Sequence, residues 1–426
     1  MRIKKFCLLL VVLTMVAALM ACGGQGGSGG GEGEKMLKVA LCVPITGESA
    51  KSGAGIRDTA LMAFEDIGYM IGDYAIDLRI VDITTDPEKG ALALEQAIVR
   101  DNVEVAILGW YTSVSMACMD VSVKYQIPYY YNNGAGTSLD EKWRTDPEKY
   151  NIYIGKTWPP TDFLSVIYVD LLNDATAAGT WSPRNNKIAI YGGDNDWGRS
   201  VAGDLAQGFT NIGWDKVFED YFPEGATDFY AMLSKIKASD ASLVAGTASS
   251  PASMAAFLKQ ARELEINAII IADGFSENGE WYSLTGDAAN YVIDCRPVFF
   301  NEAGFEFNRR FQEKYGYAPS AACEGVHWDH TNNFIETCRQ TLEIYGELNS
   351  ETLYHYGRDY VYTGRYEYTG GITQRAFKWT PETAPSPVVG EDYFYASVIQ
   401  FIDGEMISVY PENRKVADFI VPDYAK

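Results

Sequence analysis

The chain has 426 residues, with 57 acidic against 35 basic side chains and a formal net charge of −22 at pH 7. That balance argues against nucleic acid as a partner, because phosphate recognition needs clustered Lys and Arg. The length exceeds what a single core usually supports, so two lobes are expected.

Arg2, Lys4 and Lys5 form a basic start, followed by an apolar run over 8–20 that is short for a spanning helix. Small Ala21 then precedes Cys22. This is the layout of a secretory signal over residues 1–21. It also resembles the bacterial lipobox, which implies that Cys22 is diacylated and becomes the mature N-terminus; an uncleaved anchor is the alternative. Residues 22–36 are glycine-rich and are expected to be a flexible tether. No later stretch is apolar enough to span a membrane. The body is therefore expected to be soluble, exported, and anchored by lipid facing the periplasm or the cell exterior.

The body opens on a β-rich apolar run over 37–43, then a Gly/Ser/Ala loop over 46–55. Ile56, Ala60, Ala63, Phe64 and Ile67 share one helical face. Ile76, Leu78 and Ile80 alternate as a strand, and Asp86-Pro87 starts a helix carrying Ala91, Leu94 and Ile98. A strand over 103–108, a helix over 115–124 and a strand over 127–131 complete a first α/β block. The rhythm restarts after Trp158. Strands are predicted over 187–191, 217–222, 243–245 and 268–271, with helices over 199–209, 229–237 and 254–265. Such alternation is the signature of parallel sheets covered on both faces, and two blocks imply two similar lobes. Helices are predicted over 305–316 and 327–345, short strands after Tyr354, and a surface loop or linker over Pro-rich 380–387.

Open α/β sheets bind ligands in the loops at the carboxyl ends of their strands. Six such loops, over 46–53, 109–113, 132–137, 192–198, 246–250 and 272–275, are small, polar and glycine-containing, and several carry an aromatic. Small residues allow close backbone approach, helix N-termini favour anionic groups, and aromatics supply walls. The same residues also turn chains and cap helices. Enzyme signatures are missing: Asp58 stands where a dinucleotide fingerprint needs glycine, and neither a phosphate loop nor a nucleophile elbow occurs. His327 and His330 flank Asp329 one turn apart, and a surface or core-edge pair is expected rather than metal ligands. No cofactor is expected. Of five body cysteines, Cys42 and Cys118 are expected in the core, and a Cys323–Cys338 bridge is left open.

The Pro44-Ile45-Thr46-Gly47 start, Asp82 with Asp86-Pro87-Glu88-Lys89, the 109–115 loop, Asp194-x-x-Trp197-Gly198 and the 311–319 stretch fall in an order that resembles type I periplasmic binding proteins. These are receptors of ABC importers for branched-chain amino acids and amides. The resemblance implies an α/β fold of two Rossmann-like lobes joined by a three-strand hinge. Lobe 1 would hold 37–157 plus 296–365, and lobe 2 would hold 158–295 plus 366–426, with crossings near Trp158, near Arg296 and within 363–387. It implies that Ser113 binds a ligand carboxylate, helped by backbone near Asn133, Gly134 and Ala135, and that Asp273 pairs with a ligand ammonium. Ser52, Trp197 and Ser250 occupy positions that are often tyrosines in amino-acid binders. With Trp110 and Tyr111 nearby, an aromatic solute is compatible. The expected partners are a small-molecule ligand, an ABC permease and the membrane through the lipid anchor, for a monomeric protein. A sensing receptor and an exported enzyme are the alternative functions.

Overall fold

A computed structural model describes residues 35–426. The signal over 1–21, lipidation at Cys22 and nearly all of the tether lie outside the described residues.

The first sheet has the order β2-β3-β1-β4-β5-β6, from β1 (Lys35–Val43), β2 (Met70–Ile71), β3 (Tyr74–Asp82), β4 (Val105–Leu108), β5 (Tyr129–Tyr131) and β6 (Tyr153–Ile154). β1, β4, β5 and β6 run parallel. All residues of β4 and β5 are buried, as expected of strands covered on both faces. The second sheet is built from β7 (Lys187–Gly193), β8 (Asp215–Phe222), β9 (Leu243–Thr247), β10 (Ile269–Asp273) and β11 (Ile293–Arg296), all parallel. A short hairpin follows, β12 (Glu367–Tyr368) with β13 (Phe377–Lys378). β14 (Ser397–Ile402) then joins β11 antiparallel, and β15 (Glu405–Tyr410) extends that edge. The result is an α/β two-lobe fold with two mostly parallel sheets.

Local signals agree with the elements they start. Asp86 accepts from the amides of Glu88 and Lys89 at 3.0 and 3.1 Å, and Pro87 opens the Pro87–Gln96 helix. Asn195 caps the Asp196–Asn211 helix through the Gly198 amide at 2.7 Å. The Thr161–Ala177 helix escapes the sequence reading. Leu164, Ile167, Tyr168, Val169, Leu171 and Leu172 are all buried, so its apolar residues wrap most of its circumference and leave little helical periodicity.

The expected surface loop over 380–387 is a correction. Ala384, Pro385, Ser386 and Pro387 are buried. The cause is Asp140, which is fully buried, forms an ion pair with equally buried Lys156, and accepts a hydrogen bond from the Ser386 hydroxyl. Trp379 Nε1 also donates to Lys156 O at 2.7 Å. A Pro-rich segment is therefore drawn into the first lobe by a buried charge far away in sequence.

Breaking a buried ion pair leaves an uncompensated charge, whereas replacing both members by apolar groups can be neutral. Lys156→Met should lower unfolding stability by about 3–5 kcal/mol in a urea titration. Adding Asp140→Leu should recover most of that loss. A single variant as stable as the wild type would contradict the assignment.

Candidate functional site

The carboxyl ends of both sheets bound a small cavity. β4 ends on a sharp change of direction. Leu108 has φ 73° and Gly109 φ 137°, and a Cβ on Gly109 would fall 2.0 Å from the Tyr131 ring. A left-handed Leu costs about 1–2 kcal/mol, a strain typical of backbone bent to serve a site. The bend delivers Trp110 and Tyr111 to the cavity wall. Trp110 stacks on His327 with centroids 5.7 Å apart, and the Tyr111 and Ser49 hydroxyls are 2.6 Å apart.

The opposite wall comes from the second lobe. Trp197 sits on the first turn of its helix and donates to Thr247 Oγ1 at 3.1 Å. Thr247 in turn donates to Asp273 O at 2.5 Å. After β10 the chain turns at Gly274, φ 88°, where a Cβ would crowd an Arg296 nitrogen at 2.9 Å. Asp294 shapes the turn by accepting from the amides of Gly274 at 3.0 Å, Ser276 at 2.9 Å and Cys295 at 2.7 Å. Phe275, Glu277 and Asn278 thereby line the cavity.

Beneath them lies Arg296, 1% exposed. It donates to both Asp273 oxygens at 2.9 and 3.1 Å, and Tyr168 donates to Asp273 at 2.7 Å. Its Nε is 3.0 Å from Glu277 Oε1, out of line for a hydrogen bond. Burial opposes its charge, but Asp273, Asp294 and Glu277 outweigh that and hold the guanidinium well above its ordinary range. For Glu277, burial wins over Arg296 and pushes the carboxyl up to about 8.

Of the residues singled out in sequence, Ser52, Trp110, Tyr111, Asn133, Ala135 and Trp197 line the cavity together. Ser113, Gly134, Ser250 and Asp273 do not. Ser113 is half-buried on the first turn of the Thr112–Tyr125 helix. The Gly134 amide is taken by Asn133 Oδ1 at 3.1 Å. Ser250 caps the Pro251–Glu263 helix and lines an adjoining groove. Asp273 was expected to meet a ligand ammonium; it already holds Arg296 as its cation and is shut off from the cavity. Ser49, Thr112, Ala248, Ser249, Pro251, Gly274, Phe275, Glu277 and Asn278 complete the lining. Glu277 escaped because the reading of its loop stopped at Phe275. The pairing that occupies Asp273 comes from Arg296, a strand away.

The histidines are a second correction. Both are fully buried rather than at a surface or core edge. His327 Nδ1 is 2.7 Å from Cys323 O, and His330 Nε2 is 2.8 Å from Tyr130 O. Their role is to brace Trp110 and β5. No group of three or more His, Cys, Asp or Glu suited to a metal occurs among the described residues. Cys42, Cys118, Cys295, Cys323 and Cys338 are all buried free thiols, so the Cys323–Cys338 bridge is not formed. Among the described residues no helix is long and apolar enough to cross a membrane.

Two lobes that close a small polar and aromatic cavity between them define a solute-binding protein. The periplasmic binding protein family profile matches residues 36–341, and the chain belongs to that family of binding proteins, which are not enzymes. Its family places it outside the cytoplasm. A relative in Pseudomonas aeruginosa, the leucine-, isoleucine-, valine-, threonine- and alanine-binding protein, is 24% identical over 274 residues, covering 62% of this chain and 68% of the relative. The leucine-binding protein LivK of Thermotoga maritima superposes with a TM-score of 0.69 at 17% identity, covering 87% of this chain and 97% of LivK. A solute-binding protein of an ABC transporter from Rhodopseudomonas palustris, in complex with 3,4-dihydroxybenzoic acid, superposes with a TM-score of 0.70 at 18% identity, covering 87% and 95%.

Burial holds the His330 ring down to about 3, against 6.5 in an unstructured chain. A depressed value means the unfolded chain takes up a proton that the folded one refuses. The contribution is full above pH 6.5 and is lost as pH falls toward the folded value. His330→Gln should remove about 1.4 kcal/mol per pH unit from the acid-side slope of stability between pH 6 and 4. Chemical denaturation at several pH values measures the slope. An unchanged slope would mean that the ring is not buried in the neutral form.

Proposed function

We propose that the protein is the extracytoplasmic solute receptor of an ABC importer, capturing an amino acid or a related small carboxylate or amide by closure of the cleft. The observation that carries this reading is a single cavity lined from both lobes, by Ser49, Trp110 and Tyr111 on one side and Trp197, Phe275 and Glu277 on the other. Relatives support the solute class: the Pseudomonas protein is named for aliphatic amino acids, and the Rhodopseudomonas protein was captured with an aromatic acid. The aromatic walls suit a solute with an apolar or aromatic body.

The chain crosses between lobes near Trp158 and near Arg296. The third crossing is drawn between Val388 and Ser397, later than the 363–387 expected from sequence. Support comes from the Ile372 and Thr373 amides, which donate to Asp329 at 2.7 and 2.9 Å, and from the Ser386 bond to Asp140. We further propose that Cys22 carries the lipid that keeps a monomeric receptor beside its permease.

Two measurements test the proposal. A thermal-shift screen of amino acids, amides and aromatic acids should find a stabilising solute, since a ligand of the folded state raises its stability. Trp197→Leu should then weaken that solute at least about tenfold, a loss of ~1.4 kcal/mol. Unchanged affinity would place the ligand elsewhere. Separately, Cys22→Ser should move the protein from the membrane to the soluble fraction. Continued membrane retention would contradict the anchor.

A further inference from the structure

Acidic groups outnumber cations around the cavity. Arg296 packs beneath it and faces three carboxyl groups, Asp273, Asp294 and Glu277. Two of these are committed elsewhere: Asp273 to Arg296 and Tyr168, and Asp294 to three backbone amides. Glu277 is the least committed of the three: it pairs with Arg296 Nε at 3.0 Å without hydrogen-bond alignment, and its side chain is 16% exposed on the cavity wall. Glu48 and Glu224 add to the same field: together with Glu277, and after burial, they push the Tyr111 hydroxyl up. Lys51, next to cavity-lining Ser52, is bound to Glu280. Among the described residues no Lys or Arg lines the cavity.

The uncharged wall points the same way. Trp110, Tyr111, Trp197 and Phe275 surround the space. Aromatic faces attract cations and give an anion nothing comparable. Asn278 borders Glu277 on this wall, where its Oδ1 accepts from the Glu280 amide at 3.2 Å.

We propose that the solute is an organic cation, an amine or ammonium compound with an aromatic or apolar body, whose charge lies against Glu277 within the aromatic walls. This rests on the reading of the cleft as the solute site. It narrows that reading to solutes that carry an ammonium, with or without a carboxylate, and excludes the simple carboxylates. Glu277, not Asp273, is then the residue that selects by charge. Burial favours the protonated form of Glu277; arrival of the cation draws it into the ionised form, so ligand and carboxylate stabilise each other.

The experiment is calorimetric titration of the full chain with three compounds of matched body, tyramine, tyrosine and phloretate, and with choline as a non-aromatic cation. The wild type should bind tyramine or choline most tightly, bind tyrosine more weakly, and give no heat with phloretate. Glu277→Gln should weaken the tightest cation by about 10- to 100-fold. Trp110→Leu, which leaves the Arg296 cluster untouched, should weaken it about tenfold as an independent check on folding effects. Tightest binding by phloretate, or a cation indifferent to Glu277→Gln, overturns the proposal. If that tightest compound still responds to Trp110→Leu, the cleft reading survives. A tightest binder indifferent to both variants overturns both. Absence of heat from every cation at millimolar concentration also overturns the cation assignment.

Discussion

Burying a guanidinium costs several kcal/mol unless carboxylates accompany it, and this requirement organises the second lobe around Arg296. The side chain sits at the last position of β11. Its partners come from the end of β10, from β11 itself and from the turn that follows β10. Asp294 uses its remaining capacity to fold that turn, so the same cluster that neutralises Arg296 also fixes Phe275, Glu277 and Asn278 at the cavity. Tyr168 reaches the cluster from the Thr161–Ala177 helix. Three elements are thus held in register next to a lobe crossing. A site mounted this way keeps its geometry while the lobes move, which is what a receptor that closes on its ligand needs.

The contacts that span the cleft are of a different kind. Lys51 and Glu280 form an ion pair with both side chains roughly half exposed, and such pairs contribute little. The Thr137 hydroxyl donates to Asp204 at 3.1 Å, and the Ser320 hydroxyl to Ser276 O at 2.9 Å. None resembles the dry interior pair of Lys156 and Asp140. Weak bridges leave open and closed arrangements close in energy, so a ligand touching both walls can decide between them. The buried ion pairs lie within lobes, whereas the Lys51–Glu280 pair between them is exposed.

Much of the fold was legible because periodicity and capping are local. The 37–43 run, the Asp86-Pro87 helix start and the strand–helix alternation each follow from a few neighbouring residues. Six of the fifteen lining residues were legible for a related reason: loops after parallel strands must face the cleft, and Trp110, Tyr111 and Trp197 stand in them. What escaped depends on distant partners. Nothing near Asp273 announces that Arg296 will claim it. Nothing in Pro-rich 380–387 announces that Asp140 will bury it. The Thr161–Ala177 helix, apolar almost all round, carries too little periodicity to declare its type.

The central claim is that the solute sits between the lobes and touches both. Hydrogen exchange of the full chain, with and without a saturating concentration of the solute that stabilises it most, tests this directly. Exchange reports local opening residue by residue, so each wall is read separately. The account predicts joint slowing in 109–113 of the first lobe and 274–279 of the second. Protection confined to one of these segments, or appearing only elsewhere, would contradict it.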